Sequence, residues 1–376
     1  MTFDFDHPPD RRSGDSVKWN RWAGRDVLPL WVADMDFPVA PPIQEALRRR
    51  IDHGVFGYGE PWPSLVQSVV DHLAADYAWA IDPAWIVWLP GLVSGLHVAC
   101  RAVGGAAFAA TPVYPPFLSA AGRVATAPLR RGERRWEWDL AAVEAALGPE
   151  CRTFLLCHPH NPVGRAWDED ELRAIDDLAA RRGLVVCSDE IHCGLLLEPR
   201  RRHRPFATVS EEAARRSITL MSPSKTFNLP GLGCAFAIVP DPVLRRAFRG
   251  AMRGIVPHPN VLGLVACEAA LRDGGAWHRA LLDYLRGNRD RVVEAIGEIP
   301  RLRTTPVEAT YLAWIDARET GLARPVRHLE AGGLGLSAGA DFGPSGAYDG
   351  FVRLNFACAR ALLDEALRRL RAAVAA

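Results

Sequence analysis

The chain has 376 residues, of which 49% are hydrophobic and 24% are charged, and its formal net charge is +1. A chain of this length and composition can bury a large core, either as two domains or as one large domain. The balanced charge excludes the strong global field that is typical of proteins that bind nucleic acid or a membrane surface.

The N-terminus and the cysteines predict a cytoplasmic protein. The first fifteen residues, MTFDFDHPPDRRSGD, lack the basic start and the apolar centre of a secretory signal. No stretch approaches the ~18 consecutive apolar residues that a membrane span needs. The eight cysteines include no C-x-x-C pair and no cluster with zinc-ligand spacing, which predicts reduced core thiols and no metal site.

Helical and apolar patterns alternate from residue 41 onward. PPIQEALRRRI predicts a helix that begins with proline at 41, and residues 64–79 repeat apolar side chains at helical spacing. Short apolar runs that are typical of buried strands follow at 86–90, 106–111, 153–157, 184–190, 218–222 and 234–239. Helical patterns such as residues 168–183 separate several of these runs. The alternation predicts an α/β fold with helices on both faces of a mostly parallel sheet.

The pattern changes after about residue 260. The next elements are long helices at 263–297, two shorter strands at 310–317 and 351–357, and a terminal helix. They predict a smaller α+β domain, and the first forty residues, which show no helix of their own, are expected to pack with it. We therefore predict a large domain at 41–260 and a small domain made of 1–40 and 261–376.

Five of the predicted strands end in polar or glycine-rich segments. These segments are PGLVSG (90–95), PVYPPF (112–117), HPHNPVG (158–164), SDEIH (188–192) and SPSKTF (222–227). Ligands of an open parallel sheet bind at the carboxyl ends of its strands. The order of elements therefore predicts one site at which the five segments meet.

Lysine is almost absent from this chain, because only Lys18 and Lys225 are lysine among its 45 basic residues. An amine can lose its proton and attack a carbonyl, whereas a guanidinium stays protonated. Arginine therefore cannot replace a lysine whose amine must react. Lys225, in SPSKTF, is a candidate Schiff-base nucleophile, and Lys18, in the weaker context DSVKWNRW, is interpreted mainly as an ordinary surface lysine.

Taken in order, these segments resemble the fold type I pyridoxal phosphate enzymes of the class I/II aminotransferase group. The resemblance is closest to the cystathionine β-lyase branch, the MalY/PatB-like C-S lyases. Its cues span about residues 15–360 and are SVKWNRW, LPLWVADMDFP, FGYGEP, SDEIHCG, KTFNLPGL and YLAWIDAR. The resemblance implies an aspartate aminotransferase-like fold with a seven-stranded-type sheet, and pyridoxal 5′-phosphate as the cofactor.

The resemblance assigns catalytic roles to three residues. Lys225 would hold the cofactor through a carbon–nitrogen double bond and then move the Cα proton of the substrate. Asp189 would contact the pyridine nitrogen and keep it protonated, although an aspartate that caps the next helix is the structural alternative. Tyr114 would stack on the ring, or else pack on the core as an ordinary turn tyrosine.

Further residues are implied in cofactor binding. Asn161 would donate a hydrogen bond to the phenolic oxygen, and His192 could share that contact. The phosphate would accept hydrogen bonds from the backbone N–H groups of Leu92 and Val93, at the start of a helix.

The remaining implied contacts involve the phosphate and the substrate. Ser222 and Ser224 would donate hydroxyl hydrogen bonds to the phosphate. Tyr58 would reach the phosphate of a neighbouring subunit, which implies a homodimer with shared active sites. Arg353 would bind the substrate α-carboxylate through a planar two-point contact, and Ala33 would lie beside the substrate.

Three positions depart from the family pattern. Gly233 stands where many aminotransferases have an arginine that binds the phosphate. Gly194 stands where the branch often has aspartate, and no proline precedes Arg360 in NFACAR. The last two departures bear on substrate preference more than on cofactor binding.

The resulting expectation is a carbon–sulfur β-lyase that cleaves cystathionine or related L-cysteine S-conjugates to pyruvate, ammonia and a thiol. An aminotransferase that acts on an L-amino acid would use the same residues and remains the first alternative. A regulator that binds the cofactor without turnover is the second. Regulators of this fold carry an added DNA-binding domain, whereas only about fifteen polar residues precede the fold here.

Overall fold

The computed structural model describes residues 3–12 and 14–375. Its α-helices are α1 (Val17–Asn20), α2 (Pro41–Asp52), α3 (Pro63–Tyr77), α4 (Leu92–Val103), α5 (Leu140–Ala146), α6 (Glu169–Arg182), α7 (Glu211–Arg215), α8 (Pro242–Met252), α9 (Val261–Asp273), α10 (Gly275–Glu298), α11 (Pro325–Ala331) and α12 (Arg360–Ala375). Its strands are β1 (Leu28–Pro29), β2 (Ile86–Leu89), β3 (Ala106–Thr111), β4 (Val124–Pro128), β5 (Arg130–Arg131), β6 (Trp136–Glu137), β7 (Cys151–Cys157), β8 (Val185–Asp189), β9 (Ser217–Met221), β10 (Ala235–Ile238), β11 (Arg303–Thr304), β12 (Leu312–Asp316), β13 (Leu334–Gly335), β14 (Ser337–Ala338) and β15 (Phe351–Asn355).

A seven-stranded sheet forms the centre of the molecule, in the order β2-β10-β9-β8-β7-β3-β4. Its strands are parallel except β10, which is antiparallel to both of its neighbours. The predicted α/β fold with a mostly parallel sheet is therefore confirmed. The sequence reading missed β4, an edge strand whose half-exposed VATAP segment ends in proline and lacks a continuous apolar run.

Alternate residues of the central strands pack against helices on opposite faces of the sheet. Ala107 and Ala109 of β3 lie in the core that includes α4 and α8, whereas Phe108 lies in the core that includes α5 and α6. This follows from the two-residue repeat of a strand, and burial on both faces explains why these strands are continuous apolar runs. A Cβ atom at Gly95 of α4 would lie 3.0 Å from side chains of β2 and β9, so glycine lets this helix approach the sheet closely.

A second, four-stranded sheet in the order β11-β12-β15-β14 packs with α9 to α12. The N-terminal segment joins this part of the chain because β1 pairs with β13 in parallel. The helical stretch predicted at 263–297 is two helices, which meet at Gly274, where a Cβ atom would lie 2.4 Å from the ring of Phe227. The division into domains at 41–260 stays a prediction.

The N-terminal forty residues differ from the prediction in two ways. They contain a helix, α1, which Ser16 caps but which is too short to show a helical repeat in the sequence. Lys18 is not a surface lysine, because its side chain is completely buried and its Nζ lies 2.8 Å from Oδ2 of Asp36. Asp36 also accepts hydrogen bonds from Arg11 and from the indole of Trp19, at 2.9 and 3.0 Å.

All eight cysteines are buried, and none forms a disulfide. In residues 3–12 and 14–375, no helix is both long and apolar enough to cross a membrane. The same residues contain no group of three or more His, Cys, Asp or Glu side chains that could hold a metal ion.

Candidate active site

A cavity of about 560 Å³ lies at the carboxyl ends of the central strands. The predicted site residues that line it are Ala33, Leu92, Val93, Tyr114, Asn161, Asp189, His192, Ser222, Ser224, Lys225 and Arg353. They come from the segments that follow β2, β3, β7, β8 and β9, from β15 and from the N-terminal segment. The structure therefore brings together groups that are more than 300 residues apart in the chain.

Lys225 lies in the turn after β9 and is half-buried. Its Nζ donates a hydrogen bond to the backbone carbonyl of Ala33 at 2.6 Å, and no carboxylate lies within ion-pair distance of this amine in the described residues. Burial lowers the pKa of Lys225 to about 8, while the negative charges of Asp34 and Asp189 oppose the shift. More of the amine is consequently free near neutral pH than in an ordinary lysine.

Asp189 is the last residue of β8, and its side chain is buried. Burial is the main cause that raises the pKa of Asp189 to about 7, and the charge of Glu190 contributes, while a hydrogen bond from the Ile191 N–H at 3.2 Å and the charge of Lys225 oppose the shift. A turn and not a helix follows β8, so Asp189 does not cap a helix. A buried carboxylate that makes no ion pair with a described residue suits a ligand that offers it a protonated nitrogen.

Arg353 of β15 is buried, but no carboxylate forms an ion pair with it in the described part of the chain. Its Nη1 donates to Oδ1 of Asn161 at 3.0 Å, and its Nη2 donates to the backbone carbonyl of Trp31 at 2.8 Å and to the hydroxyl of Ser337 at 3.2 Å. Burial lowers the pKa of Arg353 to about 10. A guanidinium that is held by neutral groups keeps its charge for an anionic ligand.

His192 and Tyr114 are both uncharged at neutral pH. Burial lowers the pKa of His192 to about 3, and the positive charges of Lys225 and Arg353 lower it further. The His192 ring packs edge-on to the ring of Tyr311, with 6.1 Å between the centroids. Burial raises the pKa of the half-buried Tyr114. Both side chains can therefore contact an aromatic ligand without adding charge.

The first turn of α4 offers backbone N–H groups to an anion. The helix begins at Leu92, and no side chain accepts a hydrogen bond from its first turn, because Gly91 occupies the N-cap position. Ser224 lies on the same cavity, but the hydroxyl of Ser222 donates to the backbone carbonyl of Cys234 at 2.7 Å. The donors for an anion thus come from the start of α4 more than from the Ser222 hydroxyl.

The local backbone explains one departure from the family pattern. Gly233 has φ +57°, in the left-handed region, and a Cβ atom there would lie 3.1 Å from the carbonyl oxygen of Pro90. A side chain at this position would be strained and would press on the segment that leads into α4. An arginine of the aminotransferase type therefore does not suit this backbone.

Two residues that the sequence reading did not single out complete the site. The hydroxyl of Tyr311 donates to the carbonyl of Ala33 at 3.0 Å, the same oxygen that accepts from Lys225. Asp34 follows Ala33, and its charge raises the pKa of Lys225. An acidic residue within the apolar segment LPLWVADMDFP was the available signal for Asp34.

Tyr58 is the one predicted site residue that does not line the cavity. Its side chain is fully exposed, and it lies in the loop between α2 and α3. A single chain therefore does not bring Tyr58 to the other site residues.

The residues present fit pyridoxal phosphate. This cofactor needs an amine for its aldehyde, an acid for its ring nitrogen, a donor for its ring oxygen and a site for its phosphate. Lys225, Asp189 and the start of α4 match three of these needs. Because Oδ1 of Asn161 already accepts from Arg353, the NH₂ group of Asn161 is left to donate to the ring oxygen. Nδ1 of His192 and Nε of Arg353 are buried and make no hydrogen bond within the described chain, as expected where a ligand completes the site.

Comparison with known proteins places the chain among enzymes of this kind. It is 35% identical over 387 residues to the cystathionine β-lyase PatB of Bacillus subtilis (strain 168), with 98% of this chain and 99% of PatB covered. The crystal structure of OvoB superposes with a TM-score of 0.96 at 46% identity and 99% coverage of both chains. Cystalysin from Treponema denticola, whose crystal structure contains pyridoxal 5′-phosphate, superposes with a TM-score of 0.94 at 30% identity, with 100% of this chain and 99% of that chain covered. The model of the family "Aminotransferase class I and II" matches residues 25–370, and the chain belongs to this family.

Proposed function

We propose that this protein is a pyridoxal phosphate-dependent carbon–sulfur β-lyase that acts on L-cysteine S-conjugates such as cystathionine. The observation that carries the proposal is the pairing, in one cavity, of an amine of lowered pKa with a buried guanidinium that has no acid partner among the described residues. The amine would bind the aldehyde of the cofactor and give it up to the substrate amine, and the guanidinium would bind the substrate carboxylate. Similarity along the whole chain to the cystathionine β-lyase PatB supports the choice of reaction.

Substrate orientation is assigned to Arg353. Its guanidinium is fixed by Asn161 and Trp31, at 3.0 and 2.8 Å, so little side-chain entropy is lost when it binds the α-carboxylate. The contact places Cα of the substrate near Lys225. Ala33 lies beside the substrate and, through its carbonyl, positions Nζ of Lys225.

Proton transfer at Cα is assigned to Lys225. When bound, pyridoxal phosphate supplies an aldehyde for the substrate amine and a ring that accepts the electrons released at Cα. Nζ of Lys225, as a free amine, takes the Cα proton. Asp189 would keep a proton at the ring nitrogen, while Asn161 and the neutral His192 would contact the ring oxygen and Tyr114 would stack on the ring. Leu92, Val93, Ser222 and Ser224 would hold the phosphate.

Cleavage of the Cβ–S bond completes the reaction. The electron pair left at Cα forms the Cα–Cβ double bond as the thiolate leaves with the bonding electrons of sulfur. The protonated Nζ of Lys225 can return a proton to the leaving sulfur. Addition of one water then converts the three-carbon fragment into pyruvate and ammonia, so the products are pyruvate, ammonia and a thiol.

The functional unit that we propose is a homodimer. Tyr58 is fully exposed, and the neighbouring Val55 and Phe56 are 62% and 56% exposed. Large apolar side chains clustered on one loop are typical of a surface that a protein partner covers. Placement of this loop over the cavity of a second copy would bring Tyr58 to that copy's phosphate site.

We assign the protein to the cytoplasm. All eight thiols are buried and free, which is typical of proteins in a reducing compartment.

Incubation of the purified protein with L-cystathionine, in the absence of any 2-oxo acid, tests the proposed reaction. Pyruvate and thiol should appear in equal amounts. Turnover that begins only after a 2-oxo acid is added would replace the lyase by an aminotransferase, an activity carried by the arginine–pyruvate transaminase of Pseudomonas aeruginosa, which is 27% identical to this chain. Cofactor binding without either reaction would support the alternative of a regulator that binds the cofactor without turnover.

A further inference from the structure

A second arginine, Arg21, lies at the mouth of the active-site cavity. Its guanidinium carbon lies 4.3 Å from the ring centroid of Trp31 and 5.0 Å from that of Trp22. The two indoles meet edge to face, with 6.3 Å between their centroids. Stacking on two indoles holds a long, exposed side chain in place without using its hydrogen-bond donors.

Trp31 connects this arginine to the one that is proposed to bind the α-carboxylate. The backbone carbonyl of Trp31 accepts hydrogen bonds from Arg353 at 2.8 Å and from Ser337 at 2.7 Å. The indole Nε1 of Trp31 donates to the carbonyl of the buried Lys18 at 3.1 Å. One rigidly held residue therefore positions two guanidiniums, one deep in the cavity and one at its mouth.

The acidic side chains that line the cavity make no ion pair with Arg21 in the described residues. Glu330 forms an ion pair with Arg25 at 2.8 Å, and that hydrogen bond is the main cause of its lowered pKa, to which the more distant charge of Arg21 adds. Asp341 also lines the cavity, and its charge acts on Arg353. Arg21 itself forms no ion pair or hydrogen bond through its side chain in the part of the chain that the structure describes. Its donors are free for a group that enters the cavity from solvent.

We infer that Arg21 is a specificity-determining residue that binds a second carboxylate, at the far end of the substrate's S-substituent. The inference rests on the proposed lyase function and names its substrate class. The class is L-cysteine S-conjugates whose S-substituent ends in a carboxylate. A planar guanidinium that is already oriented by two indoles can bind a carboxylate through two parallel hydrogen bonds.

The first experiment compares two substrates in the holoenzyme. L-cystathionine carries a second carboxylate, and S-propyl-L-cysteine does not. We expect Arg21→Gln to lower the ratio of kcat/KM for cystathionine to kcat/KM for S-propyl-L-cysteine about tenfold, the effect of losing a charge-assisted hydrogen bond that is partly exposed to water. Arg12→Gln, at an exposed arginine that stacks on Trp19 and does not line the cavity, is the matched control and should leave the ratio unchanged. Arg21→Lys should restore part of the ratio.

The second experiment measures binding without turnover. Calorimetric titration of the holoenzyme compares 3,3′-thiodipropionate, which has two carboxylates, with 3-(methylthio)propionate, which has one. The dicarboxylate should bind about tenfold more tightly to the wild-type protein, and Arg21→Gln should abolish this preference. This measurement tests Arg21 even if neither cysteine derivative yields pyruvate. A lack of pyruvate would overturn the lyase function but not the inference about Arg21.

Two results would overturn the inference about Arg21. One is an equal loss for both substrates and both ligands, which would mean that Arg21 affects the site as a whole. The other is a lowered Tm of Arg21→Gln with an unchanged substrate ratio and ligand preference, which would make the stacking on the two indoles purely structural.

Discussion

The two lysines of this chain lie in opposite electrostatic surroundings. Nζ of Lys18 is completely buried and lies 2.8 Å from Asp36, in a network that also contains Arg11. Among the described residues, Nζ of Lys225 is bound only by the carbonyl of Ala33, and its pKa is lowered to about 8. A buried amine that is paired with a carboxylate contributes to structure, whereas one without a carboxylate partner is available to react.

The two surroundings are connected through the short segment from Trp31 to Asp34. The backbone carbonyl of Trp31 accepts a hydrogen bond from Arg353, that of Ala33 accepts one from Lys225, and Asp34 forms an ion pair with Arg11 at 2.8 Å. The Lys18 network therefore holds the segment that binds Nζ of Lys225. The comparison predicts that changes at Lys225 act on chemistry and that changes at Lys18 act on stability.

Lys225→Ala should have the largest effect. The variant loses both the covalent attachment of the cofactor and the base that removes the Cα proton, so kcat should fall at least about 10³-fold. The visible absorbance of the bound cofactor should disappear in the same variant. Retention of that absorbance would contradict the assignment of Lys225.

Lys18→Met should act on stability. Loss of one partner of a buried ion pair costs about 3–5 kcal/mol, and the low end applies here because Arg11 and Trp19 still contact Asp36. Urea unfolding should show this loss, while the holoprotein keeps its visible absorbance. Unchanged stability, or lost absorbance in a folded variant, would show that the two lysines do not differ as described.

Arg353→Lys should act on substrate binding. A lysine keeps the charge but loses the planar fork, so KM for cystathionine should rise about 10- to 100-fold while kcat falls less. Steady-state kinetics measure both constants. Arg318→Lys, at an exposed arginine that pairs with Asp316 outside the cavity, is the matched control and should leave KM unchanged. An equal KM for the two variants would remove Arg353 from the substrate site.

The pH dependence of cofactor capture should show the smallest effect. Since the pKa of Lys225 is lowered to about 8, the free amine should become about tenfold more abundant per pH unit below that value and level off above it. Stopped-flow mixing of the apoprotein with pyridoxal phosphate measures this profile. Asp34→Asn should shift the midpoint to lower pH, because the charge of Asp34 raises the pKa of Lys225. A midpoint near the ordinary lysine pKa would contradict the account.

Much of the site was predictable because the strands of a parallel sheet end at one edge. Asn161 follows the run at 153–157, Asp189 lies near the end of the run at 184–190, and the structure places both residues on the cavity. The central strands were predictable because burial on both faces requires continuous apolar residues.

The residues that were missed depend on long-range contacts. Lys18 looked exposed because its partner Asp36 lies 18 residues further on and α1 has only four residues. Arg21 gave no signal, because its stacking on Trp31 depends on how the N-terminal segment folds over the cavity. The Ser222 hydroxyl donates a hydrogen bond to the backbone carbonyl of Cys234, and a sequence cannot show this contact.

Covalent mapping of the cofactor tests the central claim most directly. Borohydride reduction of the holoprotein fixes the cofactor to the amine that holds it, and mass spectrometry of the proteolytic peptides then identifies that residue. The cofactor mass should appear on the peptide that contains Lys225 and be absent from the peptide that contains Lys18. Label on Lys18, or no label on either lysine in a protein that still cleaves cystathionine, would contradict the account.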